Sequence, residues 1–157
     1  MNVGSWLVWG LAATVVLTAI MAGTQGAGLS RMSIPYMLGT MVTPNRDRAV
    51  PVGTALHLLI GWAFSLVYVA AFHAWGDATW WRGALIGLVH AGFVLTAGMQ
   101  GIAGLHPRMA SEEEGPDLVR QLEPPGFLAL HYGGATPITV LVAHLVFGGV
   151  LGAFYQP

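Results

Sequence analysis

The chain has 157 residues, of which 55% are hydrophobic and only 8% are charged. A soluble domain carries about 25% charged residues, so the composition excludes an ordinary soluble protein and indicates that lipid covers much of the surface. The net charge of −1 suggests no nucleic-acid partner, and the absence of cysteine excludes disulfides, thiolate catalysis and cysteine-ligated metals.

Four apolar segments each approach the 20 or so residues that a helix needs to cross a bilayer. In chain order, we predict spans at about 3–23, 52–75, 83–105 and 137–155. Pro51 and Pro137 are expected in the first turns of the second and fourth spans, where a missing N–H is tolerated. A signal peptide has positively charged residues before its apolar segment, and the first span has none. We therefore expect this span to be retained.

The connections between the spans differ in length and in charge. A short link between the second and third spans contains tryptophans that suit the headgroup belt. The first long connection includes an uncharged segment, 32–45, that is too short to span and is broken by Pro35 and Gly39; it suggests an interfacial or re-entrant segment. Five of the six arginines lie in the two long connections: Arg31, Arg46, Arg48, Arg108 and Arg120.

This arginine distribution predicts the orientation. The positive-inside rule places the long connections in the cytoplasm and both termini on the periplasmic or exterior side of a bacterial inner membrane. Within the second long connection, Ser111 and Glu114 have the spacing of a capping box, which predicts a short helix there.

Similar segments recur in the two halves of the chain. VLTAIM at 16–21 resembles VLTAGM at 94–99, and the pattern H-L-x-x-G-x-x-x-x-x-x-Y begins at both His57 and His144. We therefore predict a single all-α membrane domain, a pseudo-symmetric four-helix bundle. Its two repeated helical hairpins would be residues 1–76 and 82–157, related by an axis along the membrane normal.

Glycines fall on one face of several predicted spans. Small residues let helix backbones approach closely in lipid, so these stripes are expected to face the bundle interior or a second protein. The expected packing positions are Gly53, Gly61, Gly83, Gly87, Gly148 and Gly152.

Three histidines, His57, His90 and His144, are the only ionisable groups apart from tyrosines in the predicted hydrocarbon region. At about 1.5 Å per residue, His57 and His144 lie roughly 8 and 10 Å from the cytoplasmic edge, and His90 lies about 10 Å from the opposite edge. Polar groups in lipid usually face the interior with a partner. The simplest interpretation is a hydrogen bond from each imidazole to a carbonyl or tyrosine on a neighbouring helix.

A cofactor is the alternative interpretation of these histidines. His57 and His144 could ligate a b-type haem, and His57, His90 and His144 could bind a transition metal, with His106 or His131 contributing, or transfer protons. The glycine stripes disfavour haem, because closely packed backbones leave little room for a macrocycle. The sequence has no C-x-x-C-H motif, which excludes covalent haem.

The sequence contains no recognisable catalytic constellation and no phosphate-binding loop. We therefore expect a non-enzymatic accessory or structural subunit of a larger membrane complex, of electron-transport or photosynthetic type, or a homo-oligomer. The haem- or metal-binding protein is the first alternative. A small oligomeric transporter is the second, and it is disfavoured because no Asp, Glu or Arg lies within a span.

Four short motifs resemble those of an uncharacterised family of small four-span bacterial membrane proteins. They are R-M-x-x-P-x-x-x-G at 31–39, T-P-x-R-x-R at 43–48, H-P-R-M-A-S at 106–111 and E-P-P-G-F at 123–127. The resemblance implies a four-span membrane fold and no particular activity.

Overall fold

The computed structural model describes residues 1–157 and is built from helices without β-strands. The helices are α1 (Val3–Gly26), α2 (Ile34–Val42), α3 (Arg46–Trp75), α4 (Trp80–Phe93), α5 (Met99–Leu105) and α6 (Thr136–Phe154). A π-helical turn, Val94–Gly98, joins α4 to α5, so that Trp80–Leu105 forms one long helix. With α1, α3 and α6, it makes four helices long and apolar enough to cross a membrane, which confirms the predicted four-span, all-α fold.

The helix boundaries show where local signals act. Helix α3 begins six residues before the predicted span, because the Asn45 side chain accepts hydrogen bonds from the backbone N–H groups of Asp47 and Arg48 and so caps the helix. Pro51 therefore lies inside α3, and the prediction that it begins the helix is wrong. Pro51 has no backbone N–H, so the carbonyl four residues earlier, that of Asp47, lacks its helical hydrogen bond. Asp47 is exposed. Pro137 does lie in the first turn of α6.

The long helices form a bundle in which three of the four neighbouring pairs pack closely. Helix α6 packs against both α1 and α4, and α1 packs against α3. Helix α2 runs antiparallel to the beginning of α3, where Gly39 lies against Ala49 and Gly53 lies against Pro35. Helices α3 and α4 are the loosely packed pair, and they meet mainly through aromatic side chains.

Both termini lie at the same end of the bundle. The Asn2 N–H donates to the hydroxyl of Tyr155 at 3.3 Å, and the Gln156 N–H donates to Ser5 Oγ at 2.9 Å. His73, near the end of α3, also contacts the Tyr155 hydroxyl, so the short α3–α4 link lies at this end as well. The two long connections lie at the opposite end, as two hairpins require. Which end faces the cytoplasm remains a prediction.

Five of the six predicted packing glycines lie against the backbone of a neighbouring segment, and the sixth, Gly61, lies against the side chain of Thr14. A Cβ on Gly83 would overlap the carbonyl of Gly148, and one on Gly152 would overlap the carbonyl of Thr79. Similarly, a Cβ on Gly87 would overlap the carbonyl of His144, in the same α4–α6 contact.

The first hairpin also packs through small residues, but its register differs from that of the VLTA match. Gly10 lies against Ser65 in the α1–α3 contact, and Gly83 lies against Gly152 in the α4–α6 contact. The histidine motif places Ser65 and Gly152 at equivalent positions of the two halves. Their contact partners, Gly10 and Gly83, should then be equivalent as well. The VLTA match instead makes Val16 equivalent to Val94.

The VLTA match is thus out of register with the helix contacts. Val16 and Val94 are 78 residues apart, whereas Gly10 and Gly83 are 73 apart. The contacts of Gly61 with Thr14 and of Gly148 with Gly83 align Thr14 with Gly83, which are 69 residues apart. The two matching segments also differ in conformation. VLTAG in the second half is the π-helical turn, whereas VLTAI in the first half lies within regular α1. The repeat symmetry therefore remains a prediction, carried by the histidine motif more than by this match.

Candidate intramembrane binding site

A cavity of about 220 Å³ lies inside the bundle, between α3 and the α4–α5 helix. Residues of α1 and α6 form its inner wall, and residues of α2 close one end. Most of the lining is apolar, and His57, His90 and His144 all line it. The structure therefore brings together around one space the three histidines that the sequence singled out.

The hydrogen bonds of His57 define its tautomer. Its Nδ1 lies 3.2 Å from the hydroxyl oxygen of Thr18. The single proton of that hydroxyl is donated to the carbonyl of Thr14 at 2.7 Å, so Thr18 can only accept from the imidazole. The proton of a neutral His57 therefore lies on Nδ1, and Nε2 carries a lone pair.

His144 reaches the same state by a different contact. Its Nδ1 lies 2.8 Å from the carbonyl oxygen of Val140, one turn earlier in α6. A carbonyl only accepts hydrogen bonds, so Nδ1 must carry the proton and Nε2 again carries a lone pair. His144 is buried, with 8% of its surface exposed, and it lines the cavity.

His90 lies between the other aromatic groups of the site. Its Nδ1 is 3.0 Å from the hydroxyl of buried Tyr68, and its ring stacks on Phe64 with the ring centres 4.8 Å apart. The rings of His90 and His144 meet edge to face at 4.7 Å. They reach the same level because α4 begins at Trp80, three residues earlier than predicted, which places His90 about 15 Å from the helix start and deeper than expected.

The cavity opens sideways, between α3 and α4. Phe64 and Phe93 line both the cavity and a second space of about 320 Å³ on the outer side of these helices, and Phe93 is 51% exposed. This outer groove is otherwise lined by Val67, Ile86 and Val89, and by Tyr68 and His90, which expose no polar atom in it. Both faces of the opening are apolar, and they lie on helices long enough to cross the bilayer, so the opening faces the region that lipid tails would occupy.

The size and chemistry of the cavity bear on the cofactor predictions. A dry cavity of about 150 Å³ holds a benzene molecule, whereas sites for drug-sized ligands occupy about 300–1,000 Å³. A volume of about 220 Å³ thus favours a single ring over a haem macrocycle. No group of three or more histidines or carboxylates is arranged to hold a metal ion. Haem b and a transition metal remain predictions without added support.

His106, considered above as an extra metal ligand, lies outside the cavity and holds the loop against α2. The backbone N–H of Arg108 donates to its Nδ1 at 3.0 Å, so the proton lies on Nε2 and is donated to the carbonyl of Met37 at 2.9 Å. The Arg108 guanidinium donates to the carbonyl of Thr40. Burial lowers the pKa of His106, which keeps the ring neutral in this arrangement.

The other loop histidine, His131, belongs to a second loop contact. Arg31 forms a salt bridge of 2.9 Å with Glu123 and also donates to the carbonyl of His131. The hydroxyl of Tyr132 donates to the carbonyl of Glu123 at 2.7 Å, and burial raises the pKa of Tyr132 to about 12. Neither His131 nor these partners reaches the three-histidine cavity.

The short helix predicted after Ser111 is absent. The Ser111 hydroxyl does accept from the N–H groups of Glu113 and Glu114, as a cap would. The chain then turns, because Gly115 adopts a φ of +74° and Pro116 follows it. Ser111 therefore makes the hydrogen bonds of a cap, but the prediction that a helix follows it is wrong.

Sequence reasoning missed two groups that define the site. Thr18 fixes the tautomer of His57, and Phe93 forms one side of the opening. The spacing of Thr14 and Thr18, one turn apart in an apolar span, was the available signal for the first; no local signal marks the second. No family model matches the chain, and neither a curated protein nor a solved structure is detectably similar to it.

Proposed function

We propose that this protein is a non-enzymatic membrane subunit that binds a small lipid-soluble molecule in the three-histidine cavity. The observation that carries the proposal is an apolar cavity of about 220 Å³, open between two helices long enough to cross the bilayer and lined by three imidazoles. Ligands that dissolve in lipid would reach such a site directly from the bilayer.

The energetics of the cavity support a ligand. Residual cavities in protein cores cost about 24 cal/mol per Å³, so an unfilled volume of this size would cost up to roughly 5 kcal/mol. Imidazoles within a span are costly as well unless they are partnered. A molecule that fills the cavity and contacts the imidazole nitrogens would recover part of both costs.

Filling the cavity with a side chain tests the proposal. Val94 lines the cavity, so Val94→Phe should occupy it, whereas Val142→Phe adds the same side chain at an exposed position on α6. Radiolabelled pentylbenzene would be titrated into lipid nanodiscs that contain each protein, with empty nanodiscs as the background. We expect saturable binding of about one molecule per chain in the parent protein and in Val142→Phe, and none in Val94→Phe.

Thermal unfolding of the three proteins would establish that each is folded. Equal binding by all three would show that the probe occupies another place, and no saturable binding to the parent protein would refute the proposal.

A role within a larger complex is supported by a different region. Leu118 is 96% exposed at the tip of the second long loop, where Asp117 accepts from the N–H groups of Val119 and Arg120 and fixes the turn. These two N–H groups also lower the pKa of Asp117. Leu118 and Val119 are adjacent exposed apolar side chains on this ordered turn, and contact with another subunit or a second copy would cover them. Purification in mild detergent as a monodisperse monomer, without a co-purifying protein, would contradict this role.

A further inference from the structure

We propose that the ligand of the cavity is a lipid with a hydroxyl-bearing aromatic ring, of the hydroquinone class, whose hydroxyl groups donate to Nε2 of His57 and Nε2 of His144. The inference rests on the proposed function, because it names the ligand class for the same cavity. It predicts that the hydroquinone binds more tightly than the corresponding quinone.

The preference for a donor follows from the two fixed tautomers. Thr18 holds the proton of His57 on Nδ1, and the Val140 carbonyl holds the proton of His144 on Nδ1. Each Nε2 is therefore an acceptor, and neither makes a hydrogen bond to a protein group. An acceptor left without a partner in apolar surroundings is unfavourable. A hydroxyl supplies the missing donor, whereas a quinone carbonyl is itself an acceptor and cannot.

His90 is the third ring at the cavity, and its contact leaves both tautomers possible. Its Nδ1 lies 3.0 Å from the Tyr68 hydroxyl, which can donate or accept there, and its Nε2 makes no hydrogen bond to a protein group. The two acceptors fixed by their neighbours are therefore those of His57 and His144. A metal cation would also accept the lone pairs of His57 and His144. However, no carboxylate lines the cavity to balance a cation, and a charge in apolar surroundings is costly without a partner. A neutral donor is the ligand that both observations favour.

The shape of the site specifies the rest of the molecule. The cavity has room for one substituted ring, and Phe64, Phe93 and Phe147 offer aromatic faces and edges to it. The outer groove continues from the opening with an apolar lining of about 320 Å³ in volume, which suits a hydrocarbon tail. A phospholipid head is too polar for the cavity, and a tail-less phenol would leave the groove empty.

Binding of three matched probes to the full-length protein tests the inference. The probes are 2-decylhydroquinone, 2-decyl-1,4-benzoquinone and decylbenzene, which share the tail and the ring and differ in their oxygen atoms. Dissociation constants would be measured in lipid nanodiscs under argon. One or two additional hydrogen bonds should make the hydroquinone bind about tenfold or more tightly than the other two.

Variants assign that preference to the two imidazoles. His57→Phe and His144→Phe should each weaken hydroquinone binding about fivefold to tenfold while changing decylbenzene binding little. His73→Phe is the matched control, because His73 lies near the end of α3 and does not line the cavity. Thr18→Val keeps the shape but removes the group that fixes the His57 tautomer, so it should reduce the preference severalfold.

The outcomes separate this inference from the proposed function. Equal affinity for all three probes, or tighter binding of the quinone, would overturn the hydroquinone assignment and leave a cavity for apolar ligands. Saturable binding of none of the probes would overturn both. A preference for hydroquinone that persists in His57→Phe and His144→Phe would also overturn the assignment, because the hydroxyl groups would then bind elsewhere.

Discussion

The contact between α4 and α6 predicts opposite effects for the same substitution at two glycines of one helix. In Gly87→Ala, the new Cβ would overlap the backbone carbonyl of His144, which cannot rotate away as a side chain would. In Gly92→Ala, the new Cβ meets no atom within 4 Å. The two positions lie on the same helix, five residues apart, so they share the local effect of the substitution and differ in their neighbours.

The magnitude follows from two opposing contributions. Replacing glycine by alanine within a helix stabilises it by about 0.5–1 kcal/mol, and this gain applies at both positions. Overpacking costs typically about 1–3 kcal/mol and applies only at Gly87, where the helices must separate. Gly92→Ala should therefore be slightly more stable than the parent protein. Gly87→Ala should be less stable than Gly92→Ala by about 1–3 kcal/mol.

The measurement is reversible unfolding in mixed micelles, in which added dodecyl sulfate unfolds the protein. Circular dichroism at about 222 nm, a minimum of the α-helix spectrum, follows the helix content. The parent protein and both variants would be compared at one pH and one lipid-to-detergent ratio. Equal stability of Gly87→Ala and Gly92→Ala would refute the reasoning, because it would show that close backbone approach does not hold α4 against α6.

Two further substitutions test individual hydrogen bonds. Because burial lowers the pKa of His106, the unfolded chain binds a proton before the folded one does as the pH falls below about 6.5. The free energy of unfolding should therefore decrease below that pH in the parent protein, and this decrease should be smaller in His106→Gln; an unchanged pH profile would contradict the assignment. Tyr68→Phe should lower the free energy of unfolding by about 0.5–1.5 kcal/mol through the lost bond to His90. Tyr36→Phe, whose hydroxyl makes no hydrogen bond to the protein, should have no effect, and equal stability of these two variants would argue against the Tyr68–His90 bond.

Much of the fold follows from composition and spacing. Runs of about 20 apolar residues bounded by charges define the four spans, because the bilayer tolerates few alternatives to a helix. The precise start of α3 depends on the Asn45 cap, a local signal that a hydropathy pattern overlooks. Helix α2 was expected only as an interfacial or re-entrant segment, and its packing on α3 through Gly39 and Gly53 depends on the tertiary structure.

The site was only partly predictable for a physical reason. Periodicity shows which residues share a face of one helix, and it identified His57, His90 and His144 as inward-facing groups. It does not show which faces of different helices meet, nor how far apart two helices lie. The contact between His90 and His144 and the cavity beside them depend on the separation of α3 from α4, and a five-residue π-helical turn beside the cavity has no marker in the sequence.

The glycine contacts and the cavity are consequences of one packing arrangement. Small residues hold α4 close to α6 through Gly83 and Gly87, and they hold α3 close to α1 through Gly61, which lies against Thr14. Each hairpin is thus tightly packed within itself, and the space that remains lies between the hairpins, where α3 faces α4 across aromatic side chains. A site at that position is built by backbone contacts between α4 and α6 on one side and by the packing of Gly61 on the Thr14 side chain on the other. The histidines that line it are held by bonds that leave their outer nitrogens free. The glycines therefore shape the binding site without touching the ligand, and substitutions at the α4–α6 contact should weaken ligand binding as well as stability.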